Sequence, residues 1–383
     1  PVLNELITIA LQENKDLLIA SARVQEYAGR LATTRSELFP QIGYDAESSR
    51  DRTSERLATS PPPGSDTEQT TTSVLLNANW ELDLWGRICR LSESARADLL
   101  SKEEARRGVV LSLVSSVATG YIQLRDYDRQ LEIAQETAAS RKETLKLFEL
   151  RFEAGVISQV EVAQVRSQYE EAQASIPEIV RSIAETENSL SILLGRNPGP
   201  IRRGKTIEDL TLFPVPAGLP SELLERRPDI LEAEQNLISA NAQIGAARAL
   251  YFPTISLTGF FGFSSEDLSD LFTGPAQTWS FGGSVIGPIF TFGQVDGQVQ
   301  QAEAVQQQLV VTYEQTIQNA FREVDDALVS HRSSRERVAS RKKQVEALQQ
   351  YVHLSKLRYE NGYSGFLEVL DAERSLFDAE LLY

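Results

Sequence analysis

Apolar residues recur every seventh position along two long stretches that lack proline. No proline occurs between Pro63 and Pro177 or after Pro288. The first series is Val110, Val117, Leu124, Leu131, Ala138, Leu145 and Phe152. The second is Ile317, Val324, His331, Val338, Val345, Val352 and Tyr359. A sustained seven-residue spacing makes a seam suited to left-handed supercoiled helices. Each helix is expected to run ~60 residues, or ~90 Å of rise, too long for a compact globule. His331 interrupts the second seam and is expected to be a packing residue rather than a pH sensor. The series end near Gly155 and Gly362, and glycine takes φ > 0 cheaply at a helix C-terminus. New helical patterns begin at once, at 160–176 and 367–382. Each half of the chain is therefore predicted to hold one long antiparallel helical hairpin.

Between the helices the period changes to two, the mark of strands with unlike faces. In 73–84, Val74, Leu76, Ala78, Trp80, Leu82 and Leu84 alternate with Ser73, Asn77, Asn79, Glu81 and Asp83. In 254–264, Ile255, Leu257, Gly259, Phe261 and Phe263 alternate with Thr254, Ser256, Thr258 and Ser264. In 279–289, Trp279, Phe281, Gly283, Val285, Gly287 and Ile289 alternate with Ser280, Gly282 and Ser284. A weaker stretch holds Ile42 and Tyr44 after Pro40. Lengths of about 9–12 residues are those of tilted strands crossing a bilayer. A water-soluble amphipathic sheet is the other reading of any one stretch. Four strands cannot close a barrel in lipid, where open edges are not tolerated, so oligomerisation is expected, and three chains would give twelve strands. The polar loop 50–72, with Ser60-Pro61-Pro62-Pro63-Gly64-Ser65, and its counterpart 265–278 read as outer loops.

The chain is also a duplication. Leu150-Arg151-Phe152-Glu153-Ala154-Gly155 recurs as Leu357-Arg358-Tyr359-Glu360-Asn361-Gly362, a shift of 357 − 150 = 207. Trp85-Gly86 matches Phe292-Gly293 at the same shift, and Val160-Glu161-Val162 matches Leu367-Glu368-Val369. At a shift of 213, Asn14-Lys15-Asp16-Leu17 matches Arg227-Pro228-Asp229-Ile230, and Leu38-Phe39-Pro40-Gln41-Ile42 matches Tyr251-Phe252-Pro253-Thr254-Ile255. The expected layout is repeat 1 over 1–200, a linker or equatorial segment over 201–222, and repeat 2 over 223–383. Repeat 1 has a helix, strands near 38–48 and 73–84, and a hairpin near 88–194. Repeat 2 has a helix, strands near 253–264 and 278–290, and a truncated hairpin near 293–383.

Composition narrows the function. The 383 residues carry 41% hydrophobic side chains and a net charge of −16. Such acidity argues against nucleic acid, whose phosphates need a basic surface. No run of 18 apolar residues offers a transmembrane helix. The only cysteine, Cys89, excludes an intrachain disulfide, and with two histidines, His331 and His353, a His/Cys zinc site is not expected. No phosphate loop or nucleophile motif suggests an enzyme. The start, Pro1-Val2-Leu3-Asn4, lacks a signal-type core, and the chain stops in mid-pattern at Tyr383, so a piece trimmed at both ends is expected. A cytosolic coiled-coil scaffold is the alternative that leaves the strands without a role.

Three motifs carry a family likeness: Trp80-Glu81-Leu82-Asp83-Leu84-Trp85-Gly86-Arg87, Leu193-Leu194-Gly195-Arg196-Asn197-Pro198 and Glu225-Arg226-Arg227-Pro228-Asp229-Ile230. Tyr251-Phe252-Pro253 and Phe366-Leu367-Glu368-Val369-Leu370-Asp371-Ala372-Glu373-Arg374-Ser375-Leu376 extend it over almost the whole chain. With them the chain resembles the outer-membrane factor family of TolC-like export ducts, and most closely its OprM-like drug-efflux branch. The resemblance implies an α+β membrane protein: a homotrimer whose twelve-stranded transmembrane β-barrel in the bacterial outer membrane is continuous with a twelve-helix α-barrel in the periplasm. An equatorial domain is implied near 178–230. A lipid-bearing cysteine is implied upstream of Pro1, no other cofactor is, and Cys89 does not match its position. The implied partners are a periplasmic adaptor, an inner-membrane RND-type transporter and outer-membrane lipid. The implied periplasmic gate is Leu367 and Asp371 as constricting rings, with Arg374 latching onto a carboxylate of a neighbouring helix. Tyr363, which departs from the small residues common there, is a further latch residue. Ala154, Gly155, Val156, Asn361 and Gly362 are the implied adaptor contacts. A type I secretion or metal-efflux duct on the same fold is the nearest rival, although the lack of methionine argues against a soft-metal route.

Overall fold

The four alternating stretches form one antiparallel sheet in the order β1-β2-β3-β4 in the computed structural model, which describes residues 1–54, 56, 67–210 and 222–383. Their bounds are β1 Gln41–Arg52, β2 Glu68–Leu82, β3 Thr254–Ser265 and β4 Gln277–Ile286. The first strand begins at Gln41 rather than at 38. Residues just before it close helix α2, Lys15–Ser36, with turns such as Phe39 N–H to the Ser36 carbonyl at 3.1 Å, and Pro40 has no N–H for a ladder. The second strand starts earlier than its alternation suggests, at Glu68, and so takes in part of the expected loop 50–72. The middle of that loop, Ser60 to Ser65, lies outside the described residues. The last strand stops at Ile286, short of 290, ahead of Gly287-Pro288. There the glycine lies so close to Pro253 that an added Cβ would meet the proline Cβ at 2.7 Å.

One row crosses all four strands on one face: Tyr44 opposite Leu76, Leu76 opposite Phe261, Phe261 opposite Trp279. All four are exposed, as are Ile42, Phe281 and Val285 on the same face. The opposite face carries Asn79, Thr258 and Gly282 in one row and Glu81, Ser256 and Ser284 in another, interrupted by Leu75 and Phe260. Both hairpin registers obey the duplication. Gln41 pairs with Asn79, and their counterparts at the two shifts, Thr254 and Ile286, pair in turn.

The Trp80–Arg87 motif is a strand-to-helix corner. Arg87 grips Glu81 through both carboxylate oxygens at 2.9 and 3.0 Å. Asp83 accepts from the Ile88 and Cys89 N–H groups at 3.0 and 2.7 Å, capping the next helix where donors lack partners. Gly86 turns the chain with φ +75. Trp85 stacks on Phe252 with ring centroids 4.7 Å apart and donates its Nε1–H to the Pro253 carbonyl at 2.7 Å. Cys89 is exposed in this corner.

The chain divides into two units. The first, 21–105 and 224–317, holds the sheet, most of α2, part of α3 (Arg87–Glu153), most of α5 (Glu222–Arg226), α6 (Pro228–Ala249) and part of α7 (Gln294–Glu360). Small side chains let its helices approach: Ala97, Ala240, Ala246 and Ala249 are buried, and Ser94 shares a hydrogen bond with Ser239 at 2.8 Å. The second unit, 1–20, 106–223 and 318–383, holds α1 (Val2–Glu13), the rest of α3 and α7, α4 (Gln159–Leu193) and α8 (Phe366–Leu381). Helices α3 and α7 have 67 residues each, and both ends of α7, like the start of α8, lie 207 positions after those of the first repeat.

The expected single opening helix is two, α1 and α2, broken at Asn14. That buried side chain accepts the Leu17 N–H at 3.0 Å and donates to the Leu193 carbonyl at 3.0 Å. The connector is anchored over its described part. Ile201 is buried with Val117, Leu124 and Leu190, Arg203 pairs with Asp128 at 3.1 Å and with Glu187, and Gly204 donates its N–H to the Tyr121 hydroxyl at 2.9 Å. The first heptad seam is buried at Val117, Leu124, Ala138 and Leu145. The second is not buried along its middle: Val338 is 53% exposed, and burial returns only at Val345. His331 is exposed in the single chain.

Candidate functional site

The long helices end in matching turns. At the first tip, Gly155 donates its N–H to the Phe152 carbonyl at 2.8 Å and Val156 to that of Arg151 at 2.9 Å. At the second, Gly362 donates to Tyr359 at 3.0 Å and Tyr363 to Arg358 at 2.9 Å. This pair of bonds is the Schellman ending, which needs a residue with φ > 0 at its centre. Gly155 and Gly362 supply it, with φ +71 and +74. Ala154, Gly155, Val156, Asn361, Gly362 and Tyr363 are all exposed, Tyr363 being the one large side chain among them.

The next helices start differently. Ser158 donates its N–H to the Glu161 carboxylate at 2.8 Å and its hydroxyl at 3.1 Å, which closes the first tip. In the second repeat the position before α8 is Gly365, and Glu368, the counterpart of Glu161, takes Arg358 at 2.9 Å instead.

Behind the tips the hairpins pack together. Phe366 meets Phe148 and Tyr359 with ring centroids at 4.3 and 5.0 Å. Leu145, Val162, Val165 and Leu370 are buried with them. Arg151 donates to the Tyr359 hydroxyl at 3.0 Å, and Gln168 donates to the Leu370 carbonyl at 2.8 Å. Burying Val369, Leu370, Ala372 and Phe377 leaves Leu367, Asp371, Arg374 and Asp378 along one exposed stripe of α8. The i, i+4 spacing places Leu367 and Asp371 together. Arg374 donates to Asp371 of its own helix at 2.9 Å, not to a carboxylate of a neighbouring helix.

Two basic groups of the long helices carried no sequence signal. Lys356 bridges α7 to α8 through Glu373 at 2.7 Å. Arg141 is 96% buried in α3, one nitrogen donating to the Gln168 carbonyl at 2.6 Å while its Nε and other Nη have no hydrogen-bond partner. Burial pushes its guanidinium below the usual range, against the pull of Glu171. An arginine in a heptad register reads as a surface residue, and only the packing of α4 and α8 makes it a buried one.

The site is built of turns, charges and apolar stripes. The family model described as outer membrane efflux protein matches residues 6–196 and 219–383. The solvent efflux pump outer membrane protein SrpC of Pseudomonas putida is 38% identical over 381 residues, covering 99% of this chain and 80% of that protein. The cation efflux system protein CusC of Escherichia coli strain K12 is 37% identical over 374 residues, covering 97% and 80%. Among solved structures, the Campylobacter jejuni CmeC outer membrane channel superposes with a TM-score of 0.93 at 26% identity, covering 100% of this chain and 81% of that one.

Proposed function

The chain belongs to the outer membrane efflux protein family, a transport component rather than an enzyme, and from that premise we propose that it is the exit duct of a tripartite pump. Drugs or other small molecules would pass from a periplasmic adaptor and an inner-membrane RND-type transporter to the exterior. The observation that carries the reading is the exposed apolar row Tyr44, Leu76, Phe261, Trp279 on a sheet whose edge strands β1 and β4 each pair on one side only among the described residues. Such a face suits lipid, and such edges require closure there. Three copies would give a twelve-stranded barrel with the Asn79 and Thr258 face inward. The two hairpins of each copy would give twelve helices in the periplasm.

In this duct the tips at Ala154-Gly155-Val156 and Asn361-Gly362 receive the adaptor. Three copies of Leu367 and Asp371 narrow the entrance, and carboxylate rings favour cations. Arg374 and Tyr363 flank them as latch residues. Cargo moves passively, and the pump supplies the energy. SrpC and CusC are named for solvents and cations respectively. This chain has no methionine to line a path for soft metals, which favours organic cargo.

The test is the size and conductance of the detergent-solubilised protein. A trimer of roughly 130 kDa, three times 42.6 kDa, that forms cation-preferring channels in a planar bilayer is expected. A detergent-free monomer would overturn the reading.

A further inference from the structure

The aromatic corner that joins β2 to β3 exists a second time in the sequence, but its two halves lie at opposite edges of the sheet. We propose that it closes between subunits, with Phe292 of one chain packing on Phe39 and Pro40 of the next. The proposal rests on the oligomeric duct described above and specifies how its seam is keyed.

Within the chain, Trp85 at the end of β2 stacks on Phe252 and hydrogen-bonds the Pro253 carbonyl at the start of β3. The shift of 207 carries Trp85 to Phe292, beyond β4. The shift of 213 carries Phe252-Pro253 back to Phe39-Pro40, ahead of β1. Both shifts hold in the fold, because together they convert the β1–β2 register into the observed β3–β4 register. The missing contact is therefore the one between β4 and β1, and those strands are at opposite ends of the sheet order.

The two halves do not meet in the single chain, where the Phe292 ring lies edge-on to Phe290 at 4.3 Å. Phe292 is 89% exposed and Phe39 63%. Phe292 is also the one described non-glycine residue with positive φ, at 51. Large side chains rarely adopt that backbone, and a residue held there often serves a contact.

The same mapping fixes the register. Leu82 opposite Ile255, Trp80 opposite Leu257 and Ala78 opposite Gly259 become Ile289 opposite Ile42, Gly287 opposite Tyr44 and Val285 opposite Ala46. Each mapped pair keeps Ile42, Tyr44 and Val285 on the apolar face. A slip of one residue would turn one edge's apolar set to the polar side. The seam differs from its template in several side chains, and at the corner the change removes a donor. Phe292 has no indole N–H, so the Pro40 carbonyl lacks the bond that Pro253 has.

The experiment uses the full chain in outer membranes, with Cys89→Ser as background. Ile42→Cys with Ile289→Cys should yield covalently linked subunits on oxidation, while the two-residue slip, Tyr44→Cys with Ile289→Cys, should yield none. Phe292→Trp should raise the temperature at which the trimer dissociates in detergent, and Phe292→Ala and Phe39→Ala should lower it. A trimer that links only through the slipped pair, or through neither pair, would overturn the keyed seam and leave the duct intact. Loss of any oligomer in the Cys89→Ser parent would instead sink the duct reading on which the seam rests.

Discussion

Asp371 accepts a hydrogen bond from Arg374 at 2.9 Å along the exposed stripe of α8. The acid proposed to ring the entrance thus brings its own counter-charge. Both side chains are about half exposed, at 52% and 54%, so the pair contributes little to stability, about 0.3–0.5 kcal/mol. Its effect falls on the field in the pore. Asp371→Ala is expected to weaken the cation preference of the channel, and Arg374→Ala to strengthen it. Reversal potentials across a salt gradient give the sign of each. Selectivity unmoved by either change would remove the ring from the mechanism.

The tips should differ in how readily they open. The first is closed by Glu161 on the Ser158 N–H, whereas the second has Gly365 at that position and gives its acid to Arg358. Amide hydrogens at 363–368 are expected to exchange faster than those at 156–161. Glu161→Ala should narrow the gap, costing about 1 kcal/mol locally. Equal exchange at both tips in the unaltered protein would contradict this.

Glycine replacements separate strain from collision. An added Cβ at Gly155 or Gly362 meets nothing within 4 Å, so alanine there should cost only the left-handed backbone penalty, about 1–2 kcal/mol. At Gly195, with φ +70, the same Cβ would lie 2.0 Å from the Glu13 carbonyl oxygen. Gly195→Ala must therefore also displace the end of α1 and should lower the urea midpoint more than either tip variant.

Arg141 is a buried cation with one good partner and two idle nitrogens. Its carboxylate neighbour Glu171 is half exposed, so removing the arginine does not strand a buried charge. Arg141→Met, which keeps the stem, should be neutral or stabilising in a urea titration. Arg141→Ala leaves a void and should destabilise by about 2 kcal/mol.

Asp229, in the first turn of α6, is held below its usual pKa chiefly by hydrogen bonds from Arg227 at 2.7 and 3.0 Å. A depressed carboxylate contributes stability above its unfolded pKa of about 3.9, and that stability is lost as pH falls through the lower folded value. The side chain is 45% exposed, so the effect is under about 1 kcal/mol. Asp229→Asn should flatten the acid limb of a stability–pH curve and lower the plateau at neutral pH.

The parts of the fold legible in the sequence were those set by local pattern. Heptads with glycine stops placed α3 and α7, and period-two stretches placed the strands within a few residues. The first strand starts at Gln41 rather than near 38 because a helix-closing turn and Pro40 intervene. Asn14, Ile201 and Arg141 were opaque because their partners, Leu193, Val117 and Gln168, come from distant segments. His331 is exposed in the single chain: a seam predicts that a helix has a partner, not that the partner lies in the same chain. The i, i+4 spacing put Leu367 and Asp371 on one stripe of α8, while the direction in which Arg374 reaches had to come from the fold.

Equal lengths in α3 and α7, 67 residues each, restrict how this gene can drift. Deleting one residue from either helix would rotate its tip by about 100° and retract it by about 1.5 Å, leaving the two hairpins of a repeat pair at unequal depth. Insertions and deletions should therefore survive only as matched events in both halves, in steps near seven residues that bring the seam back to the same side.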